Sequence, residues 1–461
     1  MIQKSTLLCL LVWSSCCTAQ QIRFDRPNTA SLGADQQSAP ARTVPPRSTP
    51  QSSAALPLRL SRQDAEALAL KNNPAISVAR LKALASWQVV REVRSNLWPS
   101  AYANLTAVDA HDDSRIAAGG LNNPIIFERA AAGTSVSQLI TDFGHTANLV
   151  ASARLQARAE DQNAAATREQ ILLAVDQSFY DALQAQAVLK VASQTVASRQ
   201  LLADQVSALA KSKLKSDLDL SFANVNLAQA KLLQLDAENN AQAAQANLSA
   251  ILGFPTLQRL QLVEDSEPLS PPPASAEELI AEAFRKRPEI LALEFETESD
   301  QKQRNAARDE LFPTVSALGT IGSVPVGDGR LPGWYGAAGV NVQVPIFNGF
   351  LFTSRIREAD LRMQAARQRL LELRNRISRD VRTAFLNANS AYQRLAVSAQ
   401  LLDQANHALE LAQTRYNLGL GSIVELSQAQ LQQTQAAIGN TQAGYEYRLA
   451  LSVLRYQTAG L

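Results

Sequence analysis

Tyr416-Asn-Leu-Gly419-Leu-Gly421-Ser422 separates two segments built almost wholly of helix-forming residues. Between Thr353 and Leu418 there is neither proline nor glycine, and Ala, Leu, Gln, Arg and Glu predominate, the strongest helix formers. One helix over about 350–418 is predicted, roughly 100 Å long at 1.5 Å per residue. Such a rod cannot fold back into a globule and must lie against other helices. Ile356, Ala359, Met363, Ala366, Leu370, Leu373, Ile377, Val381 and Ala384 recur at spacings of three and four, a seam of coiled-coil type. Gly419 and Gly421 stop the helix. Ser422-Ile-Val-Glu425 has the form of a capping box and opens a second, Gln/Ala-rich helix over about 422–457.

Working outward, the chain begins with Met1-Ile-Gln-Lys4, an apolar Leu7–Trp13 and small residues to Ala19. This pattern is that of a secretory signal peptide, 1–19. Two fates are open: cleavage after Ala19, or lipidation at Cys16 or Cys17. All three cysteines lie within this segment, so the chain beyond Ala19 has no disulfide or thiolate site. Residues 20–56 are rich in Pro, Ser and Gln without any period, the composition of a flexible tail. No later apolar run reaches the roughly 18 residues of a membrane helix, so a membrane location requires a β-barrel. A formal charge of +2 and 19% charged residues give no support for a nucleic-acid partner.

The rest reads as a duplication. The first copy, 57–257, starts with a helix capped at Ser61 that ends at Leu97-Trp98-Pro99. Alternating residues at about 100–108 and 131–140 read as strands flanking a loop, His111 to Glu128. A long helix over 145–210, a turn at 211–215 and a returning helix over 216–252 complete it. After a linker, 258–274, the second copy occupies 275–461, with Pro74 and Pro99 repeated as Pro288 and Pro313. Its strands are expected at about 314–323 and 339–346, the second carrying Val340, Val342 and Val344, with a loop from Pro325 to Ala338 between them. Its helices cover 350–418 and 422–457. Phe347-Asn-Gly349 is set against Asp142-Phe-Gly144 at the strand-to-helix junctions.

The expected fold is therefore mostly α with a membrane β part, a repeated strand–strand and long-helix unit. The two shorter helices of each copy match one long helix in length and stack end to end beside it. Four strands cannot close on themselves, so closure requires several chains. One face of each strand is apolar. Ala103, Leu105, Ala317 and Val342 should face lipid, and Asn104, Thr106 and Gln343 the lumen.

The duplication, the Pro99 and Pro313 breaks, Asp142-Phe-Gly144, Val344-Pro-Ile-Phe-Asn-Gly349 and Arg415-Tyr-Asn-Leu-Gly-Leu-Gly-Ser-Ile-Val-Glu425 together resemble the TolC family of outer-membrane efflux proteins, over essentially everything after residue 56. The resemblance implies a homotrimer with a twelve-stranded β-barrel in the outer membrane, continued by a twelve-column α-helical barrel across the periplasm. It also implies a periplasmic adaptor and an inner-membrane pump as partners in tripartite efflux or type I secretion. The alternative class is a secreted coiled-coil protein without a channel.

No enzyme or cofactor pattern stands beside this. His111, His145 and His407 lie far apart in sequence, with no second histidine at metal-ligand spacing, and no phosphate loop or nucleophile elbow is present. Four residues near the turns are gate candidates by the resemblance: Glu425, Asp219, Asp217 and Arg415. Asp219 and Glu425 have a second reading as capping-box residues, and Arg415 as a solvated helix-end cation. The resemblance makes Leu418, Gly419, Leu420, Gly421 and Ser422, with Lys213 and Lys215 of the first copy, the candidate adaptor contact. In the first copy Lys213 and Lys215 replace the glycines, which argues against a conventional turn there. Trp98, Tyr102, Phe312, Phe347 and Phe350 cluster at strand ends, as a membrane-interface girdle or as packing at the helix junction.

Overall fold

Two helices of 67 residues each, His145–Lys211 and Leu351–Asn417, are the longest described elements. The structure, a computed structural model, describes residues 58–108, 115–118, 121–125, 129–255, 260–264, 269–326 and 332–459. The expected signal peptide and tail lie outside the described residues. Along the first copy run β1 (Leu58–Leu60), α1 (Arg62–Asn72), α2 (Pro74–Ser95), β2 (Ser100–Val108), β3 (Arg115–Ala118), β4 (Leu121–Ile125), β5 (Arg129–Thr141), α3 (His145–Lys211) and α4 (Asp217–Ile251). The second copy has β6 (Leu260–Leu262), α5 (Ala276–Lys286), α6 (Pro288–Asp309), β7 (Thr314–Val326), β8 (Trp334–Gln343), α7 (Leu351–Asn417) and α8 (Ile423–Gln457).

The shorter helices do pack along the long ones. In the first copy α1, α2 and α4 lie on α3; in the second α5, α6 and α8 lie on α7, while α6 and α8 also touch α3. Both long helices bury many alanines, Ala153, Ala157, Ala166, Ala182, Ala192 and Ala203 on α3 and Ala366, Ala384, Ala388, Ala405 and Ala412 on α7, and small side chains let helices approach closely. Enlarging one would cost about 1–3 kcal/mol by overpacking. On α7 the expected seam is buried or half-buried from Ile356 to Ala384. It is flanked by ion pairs to its neighbours: Arg355–Glu310 at 2.9 Å, Arg374–Glu294 at 2.8 Å and Arg394–Glu446 at 2.9 Å.

The first helix expected in each copy is in fact two, because Pro74 and Pro288 occupy the first position of α2 and α6. Proline fits there, since the N–H it lacks has no partner in the first turn. Asn73 caps α2, its side chain accepting from Ala75 N at 2.9 Å. Leu60, Ala65, Ala69, Val175, Phe179, Leu248 and Leu252 bury one core at this joint. The linker is not irregular throughout: β6 pairs in parallel with β1, Leu58 opposite Leu260 and Leu60 opposite Leu262. The sequence-read loop at 111–128 contains a hairpin of β3 and β4.

β2, β5, β7 and β8 form one antiparallel sheet in the order β2-β5-β7-β8. β8 starts at Trp334 and ends at Gln343, earlier than expected at both ends; Pro345 has no N–H to donate, and Val344 lies outside the ladder. The register puts Ala103, Leu105, Ala132, Val136, Ala317, Ile321, Val340 and Val342 on one face. Asn104, Thr106, Ser135, Ser316, Thr320, Asn341 and Gln343 share the other. Tyr102 falls on this polar face beside Asn104 and Thr106. Trp334, read as loop, sits instead on the apolar face, opposite Ser323.

At the strand-to-helix junctions two successive residues turn left-handed: Phe143 and Gly144 (φ 54° and 109°), and Gly349 and Phe350 (φ 61° and 66°). Asn348 is thus the counterpart of Asp142, one residue away from the sequence match. His145 N reaches Asp142 O, and Leu351 N reaches Asn348 O, at 3.3 and 3.2 Å. Phe312 packs on Phe143 with centroids 5.8 Å apart, and Phe347 on Phe350 at 6.1 Å. Three of the five aromatics thus make ring contacts at the junctions, and Phe347, Phe350 and Trp98 are all exposed.

Candidate functional site: the paired helix turns

The α3–α4 and α7–α8 turns lie side by side, held by a core of Leu202, Val206, Ala223, Leu227, Ala412, Tyr416, Ile423 and Leu426. Asn226 Nδ2 donates to Ser427 Oγ at 2.7 Å across α4 and α8. Both turns have the same backbone, which corrects the expectation for the first copy. Leu214 N bonds Leu209 O at 2.9 Å and Leu420 N bonds Arg415 O at 2.8 Å, the six-to-one bond of a Schellman ending. The left-handed position is Lys213 (φ 59°) in one and Gly419 (φ 75°) in the other. A side chain there costs roughly 1–2 kcal/mol, which the first copy tolerates.

The two caps differ. Ser216 and Asp219 form a complete capping box: Asp219 N donates to Ser216 Oγ at 3.1 Å and Ser216 N donates to the Asp219 carboxylate at 3.2 Å. In the second copy only half the expected box exists. Ser422 Oγ accepts from Glu425 N at 3.1 Å, but the Glu425 carboxylate turns back to Arg415, whose Nε lies 3.1 Å from Oε1. The Arg415 guanidinium also donates to Leu420 O at 3.3 Å. One side chain thus ties the end of α7, the turn and the start of α8. Gly421 sits inside this tie: a Cβ there would lie 3.2 Å from both Arg415 Cβ and Glu425 Oε2.

Lys215 crosses between copies. Its Nζ stands 3.9 Å from the Tyr416 ring centroid and 3.5 Å from Tyr416 O, a cation–π geometry. Tyr416 is buried, and its hydroxyl has no hydrogen-bond partner among the described residues. Burial, and then the charge of Asp219, hold its phenol above the usual range. Sequence reading missed Tyr416 as a site residue; its place directly before the turn, opposite a lysine in the other copy, was the available signal. Asp217 and Lys213 are exposed, and neither has an ion pair among the described residues. Leu214, Leu218, Leu418, Leu420 and Val424 project as an exposed apolar patch around the turns.

No group of three or more His, Cys, Asp and Glu side chains could hold a metal among the described residues. No described helix is long and apolar enough to cross a membrane. The geometry offers a paired hairpin tip with opposed charges, remote from a two-faced sheet.

Comparison with known proteins gives that geometry a context. The family model described as outer membrane efflux protein matches residues 67–254 and 279–459, one segment in each copy. Protein CyaE of Bordetella pertussis is 26% identical over 375 residues, covering 79% of this chain and 76% of its own. Outer membrane protein TolC of Vibrio cholerae is 24% identical over 398 residues, 84% and 88% of the two chains. The solved structure of CusC superposes with a TM-score of 0.74 at 19% identity, covering 86% of this chain and 91% of that one. VceC from Vibrio cholerae gives 0.71 at 16% identity, with 87% and 96% covered. The chain belongs to the outer membrane efflux protein family, as a TolC-like channel protein of the outer membrane that extends into the periplasm.

Proposed function

We propose that three copies of this chain form a closed duct from periplasm to exterior, gated at the paired turns and driven by an inner-membrane pump through a periplasmic adaptor. The observation that carries this reading is the sheet. Its four strands alternate in direction, and β2 and β8 have no strand on their outer edges among the described residues. Because β8 runs antiparallel to β2, β8 of one copy can pair with β2 of the next without any parallel step, and three copies supply twelve strands. Closure satisfies the edge N–H and C=O groups, which a bilayer cannot. The apolar face then meets lipid and the polar face lines water.

Each β pair runs directly into a 67-residue helix, so the turns sit about 100 Å from the sheet. Glu425, Asp219 and Asp217 would form rings of three carboxylates at that end. Such rings attract cations and resist close approach. The Arg415–Glu425 pair neutralises one ring and lowers the cost of closure. The exposed leucines around Gly419 and Gly421 are the surface offered to the adaptor. Nothing in this assembly calls for catalysis by the chain; energy comes from the pump.

The test is electrical. Purified protein reconstituted in planar bilayers should conduct in discrete steps, with small conductance at rest and larger steps when the turns are loosened. Membranes that stay silent with folded, inserted protein would contradict the duct.

A further inference from the structure

One row of residues on the polar face of the sheet has an unusual composition. Asn104, Gly133, Gly322 and Tyr335 stand opposite one another across β2, β5, β7 and β8. Tyr335 is the second residue of β8, at the end remote from the helices. Its ring does not stand up from the sheet as side chains on strands usually do. It lies over the two glycines. A Cβ on Gly322 would fall 2.4 Å from the ring Cζ and hydroxyl oxygen and 2.6 Å from Cε1, and one on Gly133 would fall 2.1 Å from the hydroxyl oxygen. Real Cβ atoms essentially never come within 3.0 Å of other atoms, so another residue at either position forces the ring to shift. Neither glycine has a left-handed backbone, so turn geometry does not require them.

We propose that Tyr335 sets the free width of the barrel near its outer end, and that Gly133 and Gly322 hold its ring flat against the wall. This rests on the reading that the polar face lines the lumen. Two strands, each about 4.8 Å from the next, form a bed on which the ring lies sideways. In a trimer three such rings would share one level. Without the bed, each ring would project inward, and three together would narrow the passage. Filling of a glycine gap by an aromatic also stabilises sheets. That role alone predicts a change in stability and none in conductance.

The experiment uses full-length protein in planar bilayers and reads open-level conductance. Gly322→Ala should lower it, and adding Tyr335→Ala should restore it to the wild-type level or above. Gly133→Ala should lower it too. Tyr335→Phe should rescue Gly133→Ala, because the Cβ there meets only the hydroxyl within 3.0 Å. The same change should not rescue Gly322→Ala, where the ring carbons also clash. Unchanged conductance in both alanine variants, or a loss that Tyr335→Ala does not relieve, would overturn the proposal. If the alanine variants fail to assemble, the double variants with Tyr335→Ala have no ring to displace and should assemble; their failure overturns it as well. A silent wild-type protein would refute the duct itself, a result distinct from any difference among variants.

Discussion

Replacing Arg415 by alanine removes the side chain that joins α7, the turn and α8. Two interactions go: the 3.1 Å pair with Glu425 and the 3.3 Å bond to Leu420 O. Arg415 and Glu425 are 55% and 43% exposed, so the pair belongs to the surface class, worth about 0.2–1 kcal/mol. Taking the two losses together as about 1 kcal/mol per tip, the closed state weakens about fivefold if one tip limits opening. If all three tips must release together the losses sum to about 3 kcal/mol, or roughly 150-fold. The trimer should assemble normally, because the Leu426 and Tyr416 core beneath is untouched. Single-channel recording in planar bilayers measures the open probability directly. Glu425→Gln should raise it less, since an amide still accepts a hydrogen bond, and should weaken block by divalent cations. The double variant should be no worse than Arg415→Ala alone. An open probability unchanged in both single variants would leave Glu425 and Arg415 as surface charges and remove the gate from this end.

Three further outcomes are expected. Arginine at Ala103 or Ala317, on the apolar face, should cost about 2–4 kcal/mol near mid-membrane and lower the yield of heat-modifiable trimer, whereas arginine at Asn104 should be tolerated. Gly421→Trp should abolish efflux in cells while sparing trimer and insertion, because the side chain would meet Arg415 and Glu425 at the exposed turn; loss of trimer would show instead that the turn is needed for folding. Burial first, then Glu160 and Asp300, raise the Glu296 carboxyl above its ordinary value, so the folded state takes up its proton more readily than the unfolded chain. The penalty for ionising it is absent in acid and grows as pH rises through that range. Glu296→Gln should therefore raise thermal stability at neutral pH, with the gain vanishing on acidification; a gain independent of pH would point to packing alone.

Most of the fold is legible because long periods leave strong signals. The seam on α7 extends over nine positions, and the Pro99 and Pro313 breaks mark the same event twice. The faces of the strands were readable too, since residues such as Ala103 and Asn104 alternate and register preserves the alternation. What was hidden has short range or opposes local preference. The three-residue strands β1 and β6 are too brief to show any period. Pro124 in β4 reads as a strand breaker. A turn was legible at 211–215, but not its backbone form, because Lys213 takes a left-handed conformation that its side chain disfavours. At the site, Glu425 was readable as a cap or a charge; its choice of Arg415 over the Ser422 backbone depends on side-chain geometry that spacing does not encode. Tyr335 was invisible because its role depends on two glycines that lie far away in sequence and meet it only through strand order.

The central claim is that the two free sheet edges belong to one another in a ring of three. Single cysteines on the apolar face of β2, at Ala101, Ala103 or Leu105, can be combined with single cysteines on the same face of β8, at Ala338, Val340 or Val342. Oxidation in outer membranes, then denaturing electrophoresis, reads the result. One antiparallel register should yield a ladder of one, two and three chains that stops there, with a fully linked ring. Monomer alone across the whole set of pairs, or a ladder that continues past three, would contradict the account.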